Sequence, residues 1–251
     1  MIDNKTILLN RIKFLVALVF VYVVLAEFII PVNNFLPKPS LFIDSFKYIW
    51  KDYQLLASIG YTVSFIYSSM ILAYILIFLT KGILIKFIVE FRQMIITIHL
   101  FRYVPLFLIL VFVSYWFPSS IIAEFIAAVI LSLFHLIRKI FLESKNVKSE
   151  YLTVARNLGV PNAKVYGEIF WKELQPKLLS SLNRLQLYLW WVLLIYEFVG
   201  DANGIGAVIR SALAFNDYIA LIYLILIVTL IIWWCDFLIT QIERKLVFWN
   251  K

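Results

Sequence analysis

Residues 150–176 read EYLTVARNLGVPNAKVYGEIFWKELQP. No hydrocarbon core accepts this stretch, because Glu150, Arg156, Lys164, Glu168, Lys172 and Glu173 fall inside it, yet long apolar runs flank it on both sides. Its layout is that of two short helices around a sharp turn, with Ala155, Leu158, Ile169 and Leu174 as apolar contacts. Gly159 stands where the first helix ends, in reach of the left-handed conformation that glycine adopts at little cost. Pro161 stands where a second helix begins, where its fixed φ and missing N–H do no harm. A rigid helix–turn–helix of this kind on a membrane face gives a partner in the water something to push against.

The flanking runs make the membrane reading compelling. Of 251 residues, 63% are hydrophobic and only 15% charged, and the mean hydropathy is +0.93. A soluble domain of that balance would expose large apolar patches and aggregate. Repeated apolar runs of about 18 residues or more read instead as transmembrane helices. The formal net charge of +8 fits Lys and Arg gathered in cytoplasmic loops, where they set orientation, better than nucleic-acid binding. Cys235, the single cysteine, cannot form an internal disulfide and falls in an expected span. The N-terminal apolar run has no small-residue cleavage pattern after it and reads as a retained first span.

Charges and breakers divide the chain into about six passes with both termini cytoplasmic. The first span is Ile12–Ile30, preceded by Lys5 and Arg11 and closed by Pro31. Residues 31–53 suit a helix at the outer interface, with Trp50 at headgroup level. The second span is about Leu56–Leu79, and Thr80-Lys81-Gly82 predicts a tight cytoplasmic turn after it. Residues 83–117 read as one pass in two pieces, interrupted at Pro105. Pro118-Ser119-Ser120 is an outer turn before a fourth span, Ile121–Ile140. A cytoplasmic loop at about 145–176 follows, then a fifth span at roughly Leu178–Val199, an outer loop at about 200–216 and a sixth span at Tyr218–Ile239. This predicts an all-α polytopic membrane protein of one domain, residues 1–251.

The same residues bound the chemistry. The seven glycines never form a phosphate-binding loop, which needs backbone N–H groups followed by Lys and Ser or Thr. The chain is therefore not expected to hydrolyse ATP alone. His99, His135 and one cysteine make no zinc pattern, no G-x-S-x-G elbow occurs, and no cofactor or metal is expected. Glu90, Arg92, His99 and Arg102 cluster around the broken third span, and buried ionisable groups of this kind mark function or pair with backbone. One reading is a cationic lining for an anionic substrate. The other is an Arg102 that bonds carbonyls freed by Pro105. Glu124, Glu197 and Asp236 carry the same two readings. Trp190-Trp191 and Trp233-Trp234 lie too deep for an aromatic belt, and helix packing explains them more simply than a pathway for a flat solute.

The order of short motifs resembles a known family. Ala155-Arg156-x-Leu158-Gly159, then Ile169 and Pro176, is similar to the EAA loop of permease subunits of ATP-binding-cassette (ABC) importers, in the branch serving sulfonates, taurine, nitrate and thiamine or riboflavin precursors. Leu36-Pro37-x-Pro39-Ser40 resembles that branch's LPxPS segment. Arg102-x-Val104-Pro105 with Tyr115-Trp116-Phe117, Glu197-x-x-Gly200 with Gly204-Ile205-Gly206, and Asp236 with Glu243-Arg244-Lys245 follow in the family's order over roughly residues 36–249. The resemblance implies a type I importer fold and a separate ABC ATPase, two copies per complex, docked at Glu150, Thr153, Ala155, Arg156, Leu158, Gly159 and Pro161. It implies an extracytoplasmic substrate-binding protein and a second permease copy, in a homodimer or heterodimer in the bacterial inner membrane. Arg102, Pro105, Glu197 and Asp236 become candidates for the pathway or its gate.

Three departures are visible. Thr153 stands where the family's EAA glutamate belongs, with Glu150 one helical turn earlier. Val154 replaces the following alanine. Trp171-Lys172 replaces the Leu-Pro after the isoleucine. An ion-gradient carrier and a membrane-embedded enzyme are the competing classes. The first often carries two related halves and the second a catalytic cluster at one interface, and the sequence displays neither.

Overall fold

A computed structural model describes residues 13–14, 16–18, 20–29, 38–91, 106–117, 120–147, 154–155, 157–161, 164–200 and 203–246. Among them every regular element is helical: α1 (Pro39–Asp52), α2 (Leu55–Glu90), α3 (Leu106–Trp116), α4 (Ile121–Glu143), α5 (Trp171–Leu179), α6 (Leu182–Val199), α7 (Ile205–Ala214) and α8 (Tyr218–Leu246). π-helical turns occupy Leu25–Ile29 and Val165–Phe170, the latter running directly into α5. Three helices, α2, α4 and α8, are long and apolar enough to cross a membrane, and Val165–Leu179 with Leu182–Val199, bent by 53°, makes a fourth if the pair is one span. The protein is thus all-α and polytopic. Much of the expected first span, and the first half of the third with Arg92, His99, Arg102 and Pro105, lie outside the described residues.

Two compact units form, residues 1–56 with 209–227, and residues 57–208 with 228–251. In the first, Pro39 opens α1 at the first helical position, as its ring geometry favours. Glu27 accepts hydrogen bonds from the Ser40 N–H (3.3 Å) and hydroxyl (3.0 Å), placing a carboxylate over the positive end of α1. Asp217 gathers three donors: Tyr48 Oη, Tyr53 Oη at 3.1 Å and the Ala220 N–H at 3.0 Å in the first turn of α8. Burial, with the Asp217 carboxylate beside it, pushes the Tyr53 phenol up to about 12 and raises Tyr48 as well, so both stay protonated donors. Ser45 and Ile49 form the buried side of α1, while Leu41, Asp44 and Lys47 are exposed.

The second unit is organised around α6. Its buried face, Leu185, Leu189, Trp190, Leu193, Tyr196 and Glu197, repeats at three- and four-residue spacing and packs on α3 and α4. Ser120 caps α4 by accepting the Ala123 N–H at 3.2 Å. Part-buried polar side chains tie the helices together. Tyr67 of α2 donates to Gln186 Oε1 (2.8 Å), Gln186 Nε2 to the Ile232 carbonyl (3.4 Å), and Asn183 Nδ2 to Thr240 Oγ1 (3.1 Å). Interhelical bonds of this kind are a main source of cohesion between spans. Of the four paired tryptophans, only Trp190 is buried in helix packing, whereas Trp191, Trp233 and Trp234 are exposed.

The expected turn at Thr80-Lys81-Gly82 does not form, and α2 runs through it for 36 residues, about 54 Å. Each residue has its own reason. Thr80 Oγ1 returns a hydrogen bond to the Leu76 carbonyl at 2.8 Å. Lys81 Nζ lies 4.2 Å from the Phe78 ring centre and 5.6 Å from that of Trp171, a favourable site for a cation. Gly82 allows backbone approach, since a Cβ on Gly167 would sit 3.6 Å from the Gly82 Cα. Within the expected outer loop, α7 occupies ten residues. The helix of the expected fifth span begins at Leu182, after a break at Ser180-Ser181, with Pro176 inside the preceding helix.

Candidate functional site

The turn at Gly159 forms as a helix C-terminus. Gly159 has φ +71°. The Val160 N–H bonds back to the Ala155 carbonyl (3.0 Å) and the Leu158 N–H to that of Val154 (3.0 Å). The first of these spans five residues and is the six-to-one bond of a Schellman closure, for which a left-handed residue is required. The next helix starts at once, its first carbonyl that of Pro161, which accepts the N–H groups of Lys164 (2.9 Å) and Val165 (3.1 Å). Ala155 is buried, as its small size in the sequence suggests, but Leu158 is 75% exposed and Val154 57%. Leu158 is therefore not an internal contact. With Gly159 and Pro161, also exposed, it crowns an apolar knuckle. Glu150, Thr153 and Arg156 lie outside the described residues.

The chain after the knuckle is firmly seated. Val165, Tyr166, Phe170, Trp171, Leu174 and Leu178 are buried. Trp171 packs on Tyr74 and Phe78 of α2, with ring centres 6.2 and 5.8 Å apart. A departure from the pattern of the resemblance, Trp171, is thus the side chain that packs the segment after the knuckle on α2, the longest helix among the described residues. On α4, Glu143 binds Lys139 Nζ (2.8 Å), Asn146 Nδ2 (3.2 Å) and Lys177 Nζ (3.5 Å), and Lys177 also faces Glu173 at 3.6 Å. The segment after the knuckle thus touches α2 through Trp171 and α4 through Glu143, and continues through the break at Ser180 into α6.

At the far end of α6, Glu197 is fully buried. Its Oε1 accepts the Thr62 hydroxyl (2.6 Å), its Oε2 accepts the Gly206 N–H (2.7 Å), and Thr62 Oγ1 in turn accepts the Ile205 N–H (3.0 Å). Two of the four N–H groups that α7 leaves open are closed in this way, and the positive end of α7 faces the carboxylate. The glycine spacing follows from the same geometry. Gly204 has φ +116°, and a Cβ there would land on the Glu197 carboxylate. A Cβ on Gly206 would strike the Leu194 carbonyl and the Glu197 side chain. Beside Thr62, Tyr61 donates to buried Glu124 Oε2 at 2.9 Å, so consecutive residues of α2 hold one acid of α4 and one of α6.

The candidate residues thus fall into separate groups. Ala155, Leu158, Gly159 and Pro161 come together at the knuckle, and Glu197 organises the opposite end with Gly204 and Gly206. Asp236 is half-buried on α8 and shares no hydrogen bond with the Glu197 group among the described residues. Thr62, Tyr61, Gln186 and the Gly82–Gly167 contact carry no sequence motif. The available signal was a polar residue at helical spacing within an apolar run.

A family model described as "Binding-protein-dependent transport system inner membrane component" matches residues 92–248. No curated protein and no solved structure matches the chain.

Proposed function

Because the chain belongs to the family of binding-protein-dependent transport system inner membrane components, and is therefore a permease of the ABC type in the inner membrane, we propose that the knuckle at Leu158–Pro161 is where its ATPase partner pushes. The observation that carries this is an exposed apolar turn, closed by left-handed Gly159, followed by a helix anchored through Trp171 to α2 and through Glu143 to α4. Exposed apolar residues gathered at a turn are suited to a partner surface.

On this reading Glu150, Thr153, Ala155, Arg156, Leu158, Gly159 and Pro161 make up the docking segment, on the cytoplasmic side with both termini. A complex holds two permease copies, identical or paired with a second type, and two ATPases that hydrolyse the ATP. An extracytoplasmic binding protein delivers the substrate. The whole chain acts as one permease domain of about six passes. Arg102, Pro105 and Asp236 belong to the pathway, and Glu197 keeps the outer loop in register beside it. The order of motifs supports a small solute as cargo, an organic anion such as a sulfonate or nitrate, or a vitamin precursor.

The test is Gly159→Val in the complex reconstituted with its ATPase and binding protein. A β-branched residue at positive φ costs of order 1–3 kcal/mol locally, small against the burial that holds the spans. The variant should insert and pair, yet lose stimulation of ATP hydrolysis by the loaded binding protein. Stimulation equal to the parent's would remove the knuckle from the coupling route.

A further inference from the structure

A cavity of about 390 Å³ opens between the basic end of α4 and the start of α6, lined by His135, Arg138, Lys139, Ser180, Ser181 and Arg184. Its charge is largely uncompensated. Lys139 is paired with Glu143 (2.8 Å), but among the described residues neither Arg138 nor Arg184 lies in an ion pair. The Ser180 and Ser181 hydroxyls are committed to the carbonyls of Lys177 (3.0 Å) and Leu178 (2.7 Å). The Arg138 and Arg184 guanidinium groups are thus cationic donors at the cavity with no ion-pair partner among the described residues, and their planar forks match the oxygens of a phosphate.

The surface leading to those two arginines is apolar on both helices. On α4, Ile122, Ile126, Ile130 and Phe134 are all exposed and repeat every fourth residue, and the next position in that row is Arg138. Residues four apart lie one above another on a helix. The row from Ile122 to Phe134 is about 18 Å long, close to the depth of about 15 Å of one hydrocarbon leaflet. On α6, Leu187 and Trp191, three and seven residues after Arg184, are exposed in the same manner.

We propose that this cavity is a site for an anionic phospholipid, with its phosphate held between Arg138 and Arg184 and an acyl chain lying along the Ile122–Phe134 row. A free phosphate satisfies the arginines but leaves the row bare, and a zwitterionic lipid brings a choline group into a cavity that is already cationic.

The test uses the full chain purified in detergent, titrated with phosphatidylglycerol or phosphatidylcholine and read by native mass spectrometry. Two arginines without an ion-pair partner among the described residues, at about fivefold each, give a preference of roughly twenty-five-fold for phosphatidylglycerol. Arg138→Gln with Arg184→Gln should bring the two lipids to within about threefold of one another. Inorganic phosphate in large excess should leave bound phosphatidylglycerol in place. Equal binding of both lipids by the parent, a preference that survives in the double variant, or displacement by inorganic phosphate would each overturn the assignment, the last in favour of a free-anion site. Should the double variant fail to fold, Arg184→Gln alone gives the reading, since Arg184 is exposed in the first turn of α6, and an unchanged preference there would overturn it as well.

Discussion

Replacing Thr62 with valine tests the construction of the corner around Glu197. The two side chains are close in shape, so the change removes chiefly the hydroxyl. That hydroxyl donates to Glu197 Oε1 at 2.6 Å and accepts the Ile205 N–H at 3.0 Å. Without it, a buried carboxylate oxygen and a buried backbone N–H both lose their partners. Each orphaned group costs about 1–3 kcal/mol, more when charged, and the burden falls on the contact between α6 and the first turn of α7. A local loss of about 3 kcal/mol raises the population of the opened turn roughly a hundredfold. Hydrogen–deuterium exchange of a peptide covering residues 203–208 in the detergent-purified protein reads that population directly. Thr62→Val should speed exchange there by about two decades, and Thr62→Ser should restore the parent rate. Tyr61→Phe, which removes only the donor to Glu124, should leave that peptide unchanged. An effect of Thr62→Val smaller than about threefold would mean that Glu197 and α7 are held by something other than this hydroxyl.

Other expectations follow from individual side chains. Gly60 has no heavy atom within 4 Å of a Cβ position, so Gly60→Ala should stabilise α2 by about 0.5–1 kcal/mol. Gly206→Ala meets the Leu194 carbonyl and should lower the melting temperature, and paired thermal unfolding curves check both signs. Trp171→Ala empties the site between Tyr74 and Phe78, at a cost of about 3–5 kcal/mol. It should leave the spans inserted while limited proteolysis cuts faster around Leu158. In a Cys235→Ser background, Asn203→Cys should react with an impermeant thiol reagent on intact cells, and Lys145→Cys should react only after the membrane is breached. The reverse pattern would invert the proposed topology.

Much of this was legible in the sequence because local pattern and tertiary demand coincide. Gly159 before Val160-Pro161 announces a helix end followed by a helix start, and both form. Glu197-x-x-Gly and Gly204-x-Gly206 announce a tight outer corner. What the sequence leaves open is Thr62, 135 positions before Glu197, which closes that corner. The misread places are those where a distant residue changes what a local pattern means. Thr80-Lys81-Gly82 has the chemistry of a turn until Trp171 and Gly167 arrive to take up the lysine and the glycine. Leu158 has the chemistry of a core residue, but the turn projects it outward. The Val165–Phe170 turn, with its wider winding, has no marker in composition.

The 53° bend at Ser180-Ser181 makes a crank of the two stretches it joins. Val165–Leu179 is about 22 Å long and α6 about 27 Å. If the elbow holds its angle, a rotation of about 5° applied at the knuckle carries the Glu197 end through roughly 2 Å. That displacement exceeds the tolerance of the 2.6 and 2.7 Å hydrogen bonds gathered there. The corner built by Gly204 and Gly206 would then have to travel with α6 or let go of it. The position of the knuckle and the fastening of the loop at Glu197 are thus tied to a single angle.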